Sequence, residues 1–260
     1  MSNTYWQDRE ANALVKITNR TVAETEKLLA KSYANSARKV VEEFEATYEK
    51  LLNTLEDGKQ ATPADLYKLD KYWKMNVNLN NELRELGAAQ ERILTNQFLK
   101  EFEEIYGAIS FKGVVAFSTI DREGMMRAIN SIWCADGLTW SKRIWNNISY
   151  LSETLQEELI HCVLTGKKPS ELKHMLQERF NVSYSQADSL VRTELSHIQN
   201  AAAQQRYNDY GIKEVQVWAD KDERRCDKCG KLHKKKYPIN AALPIPAHPR
   251  CRCSIIPVVE

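Results

Sequence analysis

The sequence predicts a mainly α-helical chain, with a helical N-terminal region followed by a small α+β C-terminal domain. Three features predict it. From Tyr5 to about Lys100 the only glycines are Gly58 and Gly87 and the only proline is Pro63, while apolar residues recur at helical spacing. The stretch 165–169 then makes a sharp Gly- and Pro-containing break. Beyond Gly211 two short alternating runs appear, and four of the six cysteines crowd into the last 35 residues.

In chain order, Phe44, Tyr48, Leu51 and Leu55 form an i, i+4, i+7, i+11 stripe that predicts one long helix ending near Glu56-Asp57-Gly58-Lys59. Thr62 as N-cap and Pro63 at the first helical position start the next helix, along which Leu66, Leu69, Trp73 and Val77 continue a second stripe. Two antiparallel helices joined by a short loop are the expected arrangement. Between Ile105 and Trp145 four glycines break the pattern, and no element is assigned until a helix from about Trp140 to Leu164. Pro169-Ser170-Glu171 opens another helix through Phe180. Ser183 with Gln186 reads as a capping box ahead of a third, from about Tyr184 to Tyr210, with Gly211 as its stop. Glu214 to Ala219 and Cys253 to Val259 read as strands, with Trp218 as sheet core. Pro244, Pro246, Pro249 and Pro257 stiffen the return to the chain end and blunt sheet edges. The division expected is a helical region over 1–165 and a Cys-containing module over 166–260.

Composition excludes several classes of function. Charges interrupt every apolar stretch, so no membrane-spanning helix is expected, and no basic-then-apolar leader opens the sequence, so synthesis in the cytoplasm is expected. Thirty-seven Lys and Arg against 35 Asp and Glu leave a net charge of +2, which confines any electrostatic role to a local patch. Such a patch exists. Between Lys221 and Lys236 eight basic residues (Lys221, Arg224, Arg225, Lys228, Lys231, Lys234, Lys235, Lys236) face Asp222, Glu223 and Asp227, and Arg250 and Arg252 follow nearby. This loop is suited to non-specific contact with DNA phosphates; a solvated loop that avoids aggregation is the plainer reading.

The cysteines carry the sharpest chemistry. Cys226-Asp-Lys-Cys229-Gly230 has the spacing with which two thiolates converge on one tetrahedral ion, Gly230 permitting a tight knuckle. In His248-Pro-Arg-Cys251-Arg-Cys253 an extended backbone points Cys251 and Cys253 to one face and Arg252 away, which completes a Cys₄ site unless His248 replaces one thiol. More soft ligands than four places require indicates a closed, structural site for one zinc ion rather than a catalytic one. Thioredoxin-like redox chemistry fits poorly because the pair lies in a charged loop, and structural disulfides are the other alternative. Neither His-x-Glu nor His-Glu-x-x-His occurs, and no glycine-rich phosphate loop is present. His161, His174 and His197 lack partners at metal spacing, and Cys134 and Cys162 read as small buried hydrophobes.

Arg192-Thr193-Glu194, Asn200, Tyr207, Gly211, Trp218, Asp222-Glu-Arg224-Arg-Cys226-Asp-Lys-Cys229 and His248-Pro-Arg-Cys251-Arg-Cys253 occur in an order that resembles the head-morphogenesis domain of phage Mu F-type minor head proteins. The resemblance covers roughly the last 90 residues. It implies a non-enzymatic virion protein made in the host cytoplasm, present in few copies inside the head near the portal. Head assembly, DNA packaging or DNA ejection is the implied role; the implied partners are the portal, a scaffold or the major capsid protein, and no membrane. Some members of the family carry fused toxin domains, and in a chain of this length no additional C-terminal one is expected. Independently of the resemblance, Arg192 and Glu194 are too close to share one helical face, so each is expected to pair with a different partner, from among Asp220, Asp222 and Arg224 near the metal loop. The alternative class is a cytoplasmic zinc-dependent enzyme or a DNA-binding regulator built on the same cluster.

Overall fold

A computed structural model describes residues 3–52, 62–110, 122–219 and 225–258. Its elements are α1 (Asn3–Leu52), α2 (Pro63–Tyr67), α3 (Asp70–Ala108), α4 (Arg122–Ile129), α5 (Trp140–Leu164), α6 (Pro169–Asp209), β1 (Glu214–Trp218), α7 (Asp227–Leu232), β2 (Lys236–Pro238) and β3 (Ser254–Pro257). The predicted class, mainly helical with a small C-terminal sheet, is the one observed. Contacts group the chain into two compact units, one of residues 1–26, 94–140 and 188–260 and one of 27–93 and 141–187.

The second unit is an up-down-up-down bundle of four helical segments. Lys39 pairs with Glu82 at 2.9 Å and Asn78 donates to Glu43 at 2.8 Å, so residue numbers rise on α1 as they fall on α3. Asn80 meets Ser152 and Arg179 meets Glu158, which carries the alternation through α5 to α6, and Lys173–Glu45 closes it back on α1. Phe44 and Tyr48 are fully buried as their stripe predicts; the Leu51 side chain and Leu55 lie outside the described residues. The Tyr48 hydroxyl donates to the carbonyls of Cys162 and Lys167, holding the α5–α6 turn in which Gly166 takes φ +61°. Burial pushes the Tyr48 hydroxyl up to about 12, so it remains a donor at neutral pH.

Three expectations fail in this unit. The helix begun at Thr62 and Pro63 lasts five residues before a break at Lys68-Leu69, although Asp65 reaches back to accept from the Thr62 backbone N–H, as the N3 residue of a capping box does, and also accepts from the Thr62 hydroxyl. Trp73 and Val77 are exposed; α3 instead buries Tyr72, Met75, Leu79, Leu83 and Leu86, a stripe shifted by the new start at Asp70. No break separates Phe180 from Tyr184: α6 is continuous, and Ser183 caps nothing. It is buried, with its carbonyl and hydroxyl facing the Tyr33 hydroxyl. Phe180, Ser183, Ala187 and Val191 form one buried i, i+3, i+7, i+11 line, and that packing overrides the local capping signal.

Gly87 on α3 lies directly against the Trp145 ring of α5. A Cβ built there would lie 2.7 Å from the Trp145 ring. Gly87→Ala should therefore destabilise the protein by about 1 to 3 kcal/mol through overpacking, despite alanine's higher helix propensity, as a thermal or urea denaturation would show. A stabilised variant would contradict that packing.

In the first unit α6 lies beneath the sheet, whose order is β2-β1-β3 with both pairings antiparallel. The two predicted strands are β1 and β3, with Val215 opposite Pro257 and Trp218 opposite Ser254; Pro257 sits on an edge, where its missing N–H disrupts no ladder. The third strand, β2, is three residues long, Lys236-Tyr237-Pro238, too short to leave an alternation signal. Trp218 packs with Ala11 and Ile256 and donates from Nε1 to Asp8. Gly211 ends α6 at φ +74°, with the Ile212 N–H reaching back to the Tyr207 carbonyl.

A buried carboxyl lies in the same unit. The Thr18 hydroxyl lies against Glu101 Oε1, 2.7 Å from Gln199 Oε1 and 3.3 Å from the Leu14 carbonyl, yet it has one proton for these three acceptors. A protonated Glu101 supplies the missing donor, consistent with burial holding its carboxyl up at about 7. The folded pKa is raised above the unfolded value, so this group's contribution is fully present below about pH 4.5 and is lost as pH rises through about 7. The cost at pH 8 is on the order of 3 kcal/mol. Glu101→Gln should flatten the fall in stability between pH 5 and 8 measured by urea denaturation; parallel wild-type and variant curves would contradict this.

Candidate metal centre

The Cys-x-x-Cys pair lies at the start of a helix, not in the irregular loop expected. Cys226 is the N-cap of α7, its sulfur accepting from the Cys229 N–H at 3.4 Å, and Cys229 is buried in the helix. Gly230 lies within α7 and does not take a positive φ, so no special turn is needed there. The left-handed residues near the centre are Lys234 and Arg250.

The return segment brings three more candidate ligands to the same place. Cys229 Sγ lies 3.0 Å from His248 Nε2 and 3.8 Å from Cys251 Sγ, and Cys226 Sγ lies 3.3 Å from the same His248 nitrogen. Ligand atoms of Cys226, Cys229 and His248, and those of Cys229, Cys251 and Cys253, fall within 4.8 Å of one another. Cys229 belongs to both groups, so the five side chains form one cluster. A tetrahedral ion with metal–sulfur bonds of about 2.3 Å separates its sulfurs by roughly 3.8 Å. The Cys229–Cys251 distance fits that separation and is far longer than a sulfur–sulfur bond of about 2.05 Å. His248 Nδ1 faces the Pro249 carbonyl at 2.8 Å; a proton there leaves Nε2 as the lone-pair nitrogen aimed at the thiols. As expected, Cys251 and Cys253 are both buried and Arg252 is less so.

The electrostatics suit a cation. The Cys229 N–H holds the Cys226 thiol below its usual range, and the Cys253 thiol donates to Cys251, bringing that sulfur down to about 5. Burial pushes Cys229 up to about 12, and Cys253 is raised because its proton serves Cys251. Such a group ionises fully only when a divalent cation offsets the accumulated charge. The cluster could hold a metal, and its ligands are those preferred by zinc.

The Arg-Thr-Glu segment supports this return chain. Thr193 Oγ1 accepts from the Arg250 N–H at 2.9 Å while donating to the Ser189 carbonyl. Asp188 accepts from Arg250 at 2.8 Å and from Arg192 at 3.2 Å, and Arg192 also pairs with Glu26. Glu194 is buried and accepts from Trp133 Nε1 at 3.0 Å. Arg192 and Glu194 take different partners among the described residues; the pairing expected with Asp220, Asp222 or Arg224 falls on residues outside the described ones. Asp188, four residues before Arg192, was legible as an i, i+4 pair and was missed.

Further along α6, Asn200 donates to the Cys253 carbonyl at 3.0 Å and accepts from the Ile255 N–H at 2.9 Å, acting as a substitute strand for the β3 edge. Gln199 donates to Ser254, and the Tyr207 hydroxyl reaches Glu10 and the Ile255 carbonyl. His233, also missed, accepts from the Ala219 N–H and packs edge-on against Trp218.

Of the basic patch, Lys221 and Arg224 lie outside the described residues. Arg225, Lys228, Lys234, Lys235 and Lys236 are exposed. Two of them also hold structure: Lys228 donates to the Ala247 carbonyl, and Lys234 Nζ sits 5.7 Å from the Trp218 ring centroid. His197 is half-buried and stacked on Trp133 at 4.6 Å, with Ser131 Oγ 3.4 Å from its Nε2, and burial brings its pKa down to about 4. Cys162 is buried as expected, but Cys134 is half-buried. No described helix is long and apolar enough to cross a membrane.

Residues 153–256 match the family described as Phage Mu protein F like protein. The match spans two-fifths of the chain and bears out the resemblance read from the motif order, starting earlier, inside α5. No curated protein and no solved structure gave a match.

Proposed function

We propose that this chain is a phage minor head protein acting in head morphogenesis, placed inside the head near the portal and made in the host cytoplasm. The match over residues 153–256 carries this reading, because that segment contains both the cluster and the α6 side chains that fix its return strand. Residues 166–260 form the module stapled by one structural zinc ion, and residues 1–165 dock on portal, scaffold or major capsid protein. The role is assembly rather than catalysis: the five convergent ligands favour a closed site, and the side chains around them hold backbone. Arg225, Lys228, Lys234, Lys235 and Lys236, with Lys221 and Arg224, contact DNA phosphates non-specifically during packaging or ejection.

The test is to tag the protein in its phage and purify heads. It should sediment with heads in a few copies, cross-link to portal, and leave defective heads when deleted. Normal, infectious heads without it would overturn the proposal. DNA contact should weaken steeply as salt rises, and replacing Lys235 and Lys236 by glutamine should reduce the salt slope by about 2.

A further inference from the structure

The two halves of α1 are held by different means. From Leu29 onward its buried side chains are Leu29, Tyr33, Val40, Val41, Phe44 and Tyr48, with Ser36 the one polar member among the described residues. Before Lys27 they are Ala11, Leu14, Val22 and three threonines, Thr18, Thr21 and Thr25. Alanine and threonine bury far less apolar surface than leucine or an aromatic ring, so the first half gains less from burial per turn. Polar pairs hold it instead. Asp8 accepts from Trp218 Nε1 at 3.2 Å and Glu10 from the Tyr207 hydroxyl at 2.9 Å, while Arg20 pairs with Glu104 and Lys100 with Glu24 at 2.5 Å. The last two pairs lie at the surface, where ion pairs contribute little. Packing along this half is also incomplete. Open grooves of about 410 and 300 Å³ run beside it, the first bordered by Val15, Thr18 and Val22 and the second by Ala11, Asn12 and Val15. Atoms facing such gaps forgo the dispersion contacts of a closed interface. Glu101, fully buried against Thr18, leaves its Oε2 without a hydrogen-bond partner.

We propose that α1 as far as Glu26 is a pH-sensitive strap, a cooperative unit that detaches from α3, α6 and the sheet while the rest of the fold stays closed. Such sub-global openings are drawn from the elements with the least buried apolar surface. Release bares Trp218 and Ile256, which Ala11 covers in one buried cluster, and the α6 side chains Gln199 and Tyr207. Two buried carboxyls control it. Glu101 meets Thr18 and Thr21 of the strap; its charged neighbours are Arg20 on α1 and Glu104 on its own helix, and α6 brings the uncharged Gln199 to the same Thr18 hydroxyl. Glu10 lies on the strap itself and faces Tyr207. Burial raises both carboxyls, Glu101 to about 7, so the closed strap is favoured while they are protonated and loosens as pH rises through that value. The device does not depend on a role in the phage head.

The test is amide hydrogen exchange, read by mass spectrometry, on the full-length, metal-loaded protein at pH 6 and pH 8, with each rate corrected for the intrinsic effect of pH. Amides of residues 14–26 should share one level of protection, at least about tenfold below that of residues 29–40. Their protection should fall about a further tenfold between the two pH values, and Glu101→Gln should remove most of that fall. Thr25→Val keeps the shape of a side chain whose hydroxyl donates to the Thr21 carbonyl of its own helix, and adds apolar surface, so it should raise the protection of residues 14–26. Should Glu101→Gln unfold the chain, the wild-type comparison and Thr25→Val still decide the matter. Protection that declines smoothly toward the N-terminus would be end fraying and would overturn the strap. Equal protection of the two stretches, or a pH response that Glu101→Gln leaves intact, would overturn it as well.

Discussion

Cys229→Ser should release the C-terminal module while sparing most of the helical circular dichroism. Cys229 belongs to both ligand groups, so its loss leaves no three of the remaining four that form either group intact. With a structural zinc, the binding free energy is part of the folding free energy, on the order of 10 kcal/mol for small zinc modules. The β1–β3 ladder is short, and residues 225–253 contain little other regular structure than α7 and β2. Limited proteolysis should therefore cut beyond Gly211 in the variant and not in the metal-loaded wild type. Unchanged resistance would count against a structural ion. Acid should act in the same direction as the substitution, since thiolates and His248 must be deprotonated to bind metal.

The second large effect is expected at Asn200. Its amide bonds two backbone groups of the return strand, the Cys253 carbonyl and the Ile255 N–H. Asn200→Ala leaves both buried without a partner, at roughly 1 to 3 kcal/mol each, so a total loss of about 2 to 6 kcal/mol is expected in urea denaturation. Because Cys253 and Cys251 lie on the segment it anchors, competition with a chelator should also show weaker metal retention. A loss below about 1 kcal/mol with unchanged metal retention would mean that the cluster, rather than α6, positions the strand.

Where local chemistry and tertiary packing agreed, the fold was legible in the sequence. α5 runs from Trp140 to Leu164 as read, because a Gly-containing turn ends it, and Gly211 stops α6 by the same means. Ser183 with Gln186 had the local form of a helix start, but the buried line from Phe180 to Val191 made the segment part of one 41-residue helix. Trp73 and Val77 extended a periodic pattern whose phase was reset by the break at Lys68-Leu69, so the stripe predicted to be core faces outward.

The centre divides in the same way. Cys-x-x-Cys and Cys-x-Cys spacing is local, and it announced which side chains cluster. That His248 Nε2 touches both Cys226 and Cys229, and that Thr193 and Asn200 hold backbone from the opposite end of the module, depends on contacts 19 to 57 residues apart. Nothing in the spacing of those residues encodes them; only the motif order, through resemblance, singled them out.

The most direct test of a metal-stapled module is elemental analysis of protein purified under reducing conditions, with thiols counted before and after chelation. About one zinc per chain should be found, with the clustered thiols unreactive until the chelator is added, and the zinc should be absent from Cys229→Ser. Metal-free protein in which all six cysteines react at once, with the C-terminal segment still resistant to protease, would contradict it.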